Sequence, residues 1–217
     1  MSKSLKTILT AVLIAVIALS VVFAALSIIT GRSPFNKGTS RGDVVPVKSD
    51  VTDEELISYA RELINVIKKG DYRSVAEVVH PEYGVIFSPY ATVNLSVDRC
   101  FTKDQVAEFA HDNKTYIWGV YDGSGEPIEL TPEKYFARFV FDVDFSACET
   151  FGVDEVIRTG NSLENIDDIF PTARYVDCFM PDPADPDGWD WRSLRFVFEE
   201  YDGTLFLTAI IHSENTM

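Results

Sequence analysis

The alternation of apolar and polar positions divides the chain into three parts. From Thr7 to Ile29 no charged residue, glycine or proline breaks the apolar run. At about 1.5 Å of rise per residue it extends roughly 34 Å, enough to cross a bilayer core. The segment therefore predicts a transmembrane anchor or signal over residues 7–30, preceded by a short cytoplasmic tail, residues 1–6. Lys3 and Lys6 give a basic start of the secretory kind, and Ala25-Leu26-Ser27 is a weak cleavage site, but the apolar length favours retention. Residues 31–50 hold Gly, Pro and Ser without periodicity and predict a flexible stalk. Residues 51–217 then form one domain facing the extracytoplasmic side of the membrane.

Within that domain the apolar period changes twice. Thr52 with Glu55 makes a capping box, and Leu56, Ala60, Leu63 and Ile67 carry one helical stripe that Gly70 ends. A second helix from Tyr72 stops at His80-Pro81, because a residue before proline avoids the helical region. Tyr83–Phe87 and Tyr116–Tyr121 are β-branched and aromatic, as strands prefer. Between them Thr102 and Gln105 cap a short helix, and Thr131-Pro132 opens another. Residues 135–145 fit both periods and predict a helix running into a strand. Asn161 with Glu164 predicts a capped helix ending before Pro171, and Arg174–Met180 a strand. Leu194–Phe198 alternates, Asp202-Gly203 turns, and Leu205–Ile211 returns, which is a β-hairpin. The expected fold class is α+β, with N-terminal helices on a curved, mainly antiparallel sheet, preceded by one transmembrane helix.

Charge narrows the function classes. The net charge is −15, with 34 acidic against 19 basic side chains. Such a surface is repelled by nucleic acid, and no basic patch, P-loop or zinc-ligand cluster offsets it. Cys100, Cys148 and Cys178 are widely spaced and odd in number, so no disulfide framework is indicated. No cysteine follows the apolar run, which excludes attachment through a lipoprotein-type cysteine. No cofactor motif is present.

The opening helix pair ending in His80-Pro81 and the closing hairpin ending in Ile210-Ile211-His212 resemble the cone-shaped domains named after nuclear transport factor 2. The stretches HPEYGVIFSPYA (80–91), YIWGVYDGSGEPIEL (116–130), RFVFDVDF (138–145) and WRSLRFVFEEYDG (191–203) look like an uncharacterised extracytoplasmic family of Gram-positive bacteria, members of which are described as lipoproteins. The resemblance implies a fold and a location and carries no activity. Here a plain hydrophobic helix replaces the acylated cysteine.

A cone would place polar residues around a pocket, so the candidate pocket residues are His80, Tyr90, Trp118, Arg138, Asp142, Arg195 and His212. Each has a structural alternative: a helix-terminal histidine, a satisfied sheet-edge histidine, or an Arg–Asp network with Asp142 or Asp144 as partner of Arg195. The turn at Asp122-Gly123-Ser124-Gly125 could cradle a ligand but lacks the lysine and helix of a phosphate loop. Asp182, Asp185, Asp187 and Asp190 suggest calcium by composition, although the spacing is not that of an EF-hand. No G-x-S-x-G or cysteine motif supports a nucleophile. The sequence thus favours a non-catalytic envelope module that binds a small molecule or an envelope protein. The alternative is a small isomerase or hydrolase using His212 or a pocket aspartate.

Overall fold

The computed structural model describes residues 44–185 and 187–216. The predicted anchor at Thr7–Ile29 lies outside them. Among the described residues no helix is long and apolar enough to cross a membrane.

The chain enters through β1 (Val47–Lys48), α1 (Asp53–Lys68) and α2 (Tyr72–Glu77), followed by β2 (Val85–Ser88), β3 (Arg99–Phe101) and α3 (Lys103–Ala107). A ribbon of β4 (Tyr116–Val120) and β5 (Pro127–Leu130) leads to α4 (Pro132–Tyr135), which widens into a π-helical turn, Phe136–Val140. After a short 3-10 turn come β6 (Thr150–Val153), α5 (Ile166–Ile169), β7 (Arg174–Met180), β8 (Arg192–Tyr201) and β9 (Thr204–Glu214). The large sheet has seven strands in the order β3-β2-β9-β8-β7-β6, with β1 added along β9. The β2–β9 ladder is parallel, Phe87 opposite Ile210.

This corrects the expected fold class. The described residues form nine strands with few and mostly short helices, and the large sheet is mixed. The helical signals were local capping boxes, real at Thr52 and Thr102, yet the second of these starts only five residues of helix. The folded part also begins before residue 51: Val44 is buried, and Val47 pairs with Leu205. The last part of the expected stalk is therefore a strand.

The hairpin of β8 and β9 organises the rest. Its two-residue turn needs left-handed backbone at both central positions, and Asp202 (φ 53°) and Gly203 (φ 74°) supply it. Leu194, Phe196 and Phe198 of β8 and Ile210 of β9 face the main core, where α1 packs through Leu56, Leu63 and Ile64. Thr208 is the extra residue of a bulge, so Leu205 and Leu207 share the main-core face with Ile210. The alternation that would place His212 with Phe206 is broken there. The opposite face is smaller: Val197, Ala209 and Ile211 meet Ile166, Phe170 and Val93.

Residues 135–145 do not become a strand. The Phe141 N–H reaches the Phe136 carbonyl at 2.7 Å, the wide π spacing. That turn keeps Tyr135, Phe136, Phe139 and Val140 all in the core. Aromatic packing drives it, since Tyr135 stacks on Trp118 at 3.9 Å between ring centres. The helix expected from an Asn161–Glu164 cap starts instead at Ile166, after Asn165.

All three cysteines are free, Cys148 and Cys178 buried and Cys100 exposed. The Cys148 sulfur lies 3.2 and 3.3 Å from the carbonyls of Thr150 and Phe179, either of which can accept its single S–H. Reductant should therefore leave the melting temperature unchanged. Loss of a native bridge would lower it by several degrees, which a thermal melt with and without dithiothreitol reads directly.

Candidate functional site

Aromatic side chains fill the interior where a pocket was expected. Phe87, Phe101, Phe109, Trp118, Tyr135 and Phe139 are fully or almost fully buried and in mutual contact. Trp118 is part of this plug, with its indole N–H donating to the Leu130 carbonyl at 2.8 Å. His80 lies at the other end of the sheet. Its Nδ1 accepts the N–H groups of Glu82 and Tyr83, and its ring stacks on Tyr83. Both side chains are engaged within the fold.

Three of the remaining candidates converge. Arg138 on the π turn pairs with Glu214 at 2.6 Å, and Asp142 pairs with Arg192 Nε at 2.8 Å. His212 is fully buried beside Phe139, its Nδ1 3.1 Å from the Pro89 carbonyl. A carbonyl only accepts, so Nδ1 carries the proton. The other nitrogen, Nε2, approaches Asp142 Oδ2 at 3.4 Å without hydrogen-bond alignment. Burial raises the Asp142 carboxyl, but His212 and Arg192 beside it outweigh that and hold it below the usual range. Asp142, His212 and Glu214 are close enough to share a metal ion. Arg192 Nε already lies 3.3 Å from Glu214 and 2.8 Å from Asp142, so the charge they would offer is taken. The group is a mutually paired network at the margin of the core, in which His212 is buried and Arg138 and Arg192 stay partly exposed.

Arg195 does not belong to it. It projects from the opposite face of β8, fully buried, pairing with Glu164 at 2.6 Å and lying 3.3 Å from Asp177. Asp142 and Asp144, its expected partners, are engaged elsewhere, Asp144 with Lys68 at 2.8 Å. Ser193 Oγ and the Ile157 N–H also donate to Asp177. Arg195→Met should cost about 3–5 kcal/mol in a denaturant melt, because it leaves two carboxylates buried without their cation. A change below about 1 kcal/mol would mean that the pair is dispensable.

Three of the calcium candidates, Asp182, Asp185 and Asp190, already have partners within the fold. Asp182 accepts the N–H groups of Ala184, Asp185 and Asp190, Asp185 accepts that of Asp187, and Asp190 pairs with Arg192. The carboxylates fold their own loop.

A surface cleft of about 630 Å³ includes two features singled out from the sequence, Tyr90 and the Asp122–Gly125 turn. Thr92, Asn94, Asn161, Ser162 and Leu163 complete much of its rim, and Asp98 lies at its side. Ser88 Oγ and the Asn94 N–H donate to Asp98 Oδ2, each at 2.8 Å. Burial nevertheless pushes the Asp98 carboxyl up to about 6, because these two donors do not offset the lost hydration. Nothing local in the sequence marks Asp98: it sits in an ordinary polar loop, and only the fold sets it against Gly119.

A folded-state value raised from 3.8 to about 6 favours the native state in acid. That stability is present below about pH 4 and is lost as pH rises through about 6. Asp98→Asn, which keeps an oxygen for Ser88 and Asn94, should therefore raise stability by about 1–2 kcal/mol at pH 7.5, with the gain vanishing near pH 4. Denaturant melts across that range measure it, and equal pH profiles for the two proteins would contradict it.

No family model matches the chain, and no curated protein does. Among solved structures it is similar to one described as a calcium/calmodulin dependent protein kinase II association domain from Xanthomonas campestris. That chain is 14% identical, with 79% of this chain and 94% of that one covered and a TM-score of 0.33. At this level the likeness carries no argument for function.

Proposed function

We propose that this protein is a membrane-tethered, extracytoplasmic module that binds a small ligand or an envelope protein, and that the cleft beside Tyr90 and the Asp122–Gly125 turn is where it binds. The observation that carries this reading is the contrast between a sealed interior and an open rim. His212 is fully buried and the interior is packed with aromatic rings, whereas the cleft offers hydroxyl, amide and carboxylate groups beside two tyrosines. The apolar run Thr7–Ile29 supports the tether, and the segments resembling an extracytoplasmic family support the location. The net charge of −15 argues against nucleic acid as a partner.

One observation favours the alternative of a small enzyme. Asp98, with its carboxyl at about 6 in a cleft, is poised as a proton acceptor near neutral pH. The two readings share a site and differ in turnover.

Both are tested with the full-length chain in detergent, by following amide shifts during a small-molecule fragment screen. Hits should shift residues of the cleft and weaken in Tyr121→Ala. Hits confined to other surfaces would overturn the assignment of the cleft. Turnover of an ester or isomerisable hit, abolished by Asp98→Asn with the fold intact, would select the enzyme. In cells the chain should sediment with membranes, and protease added to spheroplasts should cut it; protection until lysis would reverse the topology.

A further inference from the structure

The cleft is selective in its chemistry. No lysine, arginine or histidine lines it, while two carboxylates do. Asp122 is saturated: the Gly123 N–H, Ser162 Oγ and Thr216 Oγ1 all donate to it. The Thr216 hydroxyl, more than any other group, holds that carboxyl below its usual range. Asp98 is different. Both of its donors go to Oδ2, and Oδ1 receives no hydrogen bond from the described residues. It lies so close to Gly119 that a Cβ there would meet it at 3.2 Å, so the glycine leaves this oxygen its space. Among the described residues no cation offsets the charge.

Two tyrosines share the lining of the cleft with Asp98. Tyr90 and Tyr121 both line the cleft and both pack on Phe139, with ring centres 5.8 and 6.4 Å from it. The other groups facing Asp98 add no positive charge. Tyr135 is a buried phenol raised by desolvation, with Asp98 adding to the rise. Arg99, next in the chain, places its guanidinium over the rings of Phe101 and Tyr116, 5.4 Å from each centre. Arg138, near Tyr90, is neutralised by Glu214.

We propose that the cleft binds an organic ammonium group, of the quaternary type that choline carries, with Asp98 as its counter-charge and Tyr90 and Tyr121 as its π-faces. A weakly hydrated cation suits this setting, because aromatic faces attract the charge while the methyl groups lose little hydration. A neutral ligand would leave Asp98 uncompensated, and an anion would meet two carboxylates on a chain of net charge −15. The inference rests on the cleft being the binding site.

The experiment is calorimetric titration of the full-length chain, in a sugar-headgroup detergent, with choline chloride and with its uncharged carbon isostere. Choline should bind saturably and the isostere at least about tenfold more weakly. Affinity should fall as pH is lowered through about 6, where Asp98 takes up a proton. Asp98→Asn, expected to fold, should lose about tenfold, and Tyr121→Leu should weaken binding while leaving the pH profile in place. Phosphatidylcholine vesicles that compete with choline assign the group to a lipid headgroup; vesicles that do not compete assign it to a soluble ammonium compound. Equal affinity for the isostere, or wild-type affinity in folded Asp98→Asn, overturns the ammonium assignment. If neutral fragments still shift the cleft residues, the cleft survives as a binding site; if nothing binds there, both readings fall.

Discussion

Strand β9 is the member on which the rest of the structure depends. It pairs with β8 on one side and with β2 and β1 on the other. Its inward residues are the floor of the main core, and its outward residues are the floor of the smaller one. The bulge at Thr208 sets which is which, because one extra residue exchanges the faces of everything after it. His212 and Glu214 therefore meet Arg138, Asp142 and Arg192 on the main-core side. Arg195, opposite Ile211, goes to the other side, where Asp177 and Glu164 meet it.

Much of the local structure was legible in the sequence because its signals are short-range. The capping boxes at Thr52 and Thr102, the proline start at Pro132, strand β7 and the Asp202-Gly203 hairpin are each specified within a few residues. What failed depends on distant partners. Whether 135–145 continues as helix or strand is settled by Trp118 and Phe87, far away in sequence. The parallel pairing of β2 with β9 leaves no local mark, and neither does the entry of Val47 into the sheet. The expectation of helices on a mainly antiparallel cone gave the caps more weight than the lengths of the helices they start.

The candidate residues divide by the same logic. Arg138 and Asp142 were read as members of an Arg–Asp network and His212 on its own; the fold brings the three together, since polar residues in apolar stretches must find partners. Two arginines, two carboxylates and a histidine pair their charges with one another, although His212 Nε2 and Asp142 Oδ1 keep no hydrogen-bond partner among the described residues. Asp98 has the opposite character. It lies in an unremarkable loop, yet it is the carboxylate that the fold surrounds with desolvating groups and no cation. Such a group weakens the native state at neutral pH, a cost set against the two hydrogen bonds it accepts from Ser88 and Asn94.

The position of β9 also governs the order of assembly. The β8–β9 hairpin closes over two residues, so it can form early and unaided by the rest of the chain. Its contact with β2 is another matter: Pro89 and His212, joined at the end of that ladder, are 123 positions apart. Closing so long a loop costs entropy before the aromatic plug can return any energy, and pairings of this kind fold slowly. During that delay the outer edge of β9 presents a row of unpaired backbone N–H and C=O groups, the template on which a foreign strand can pair.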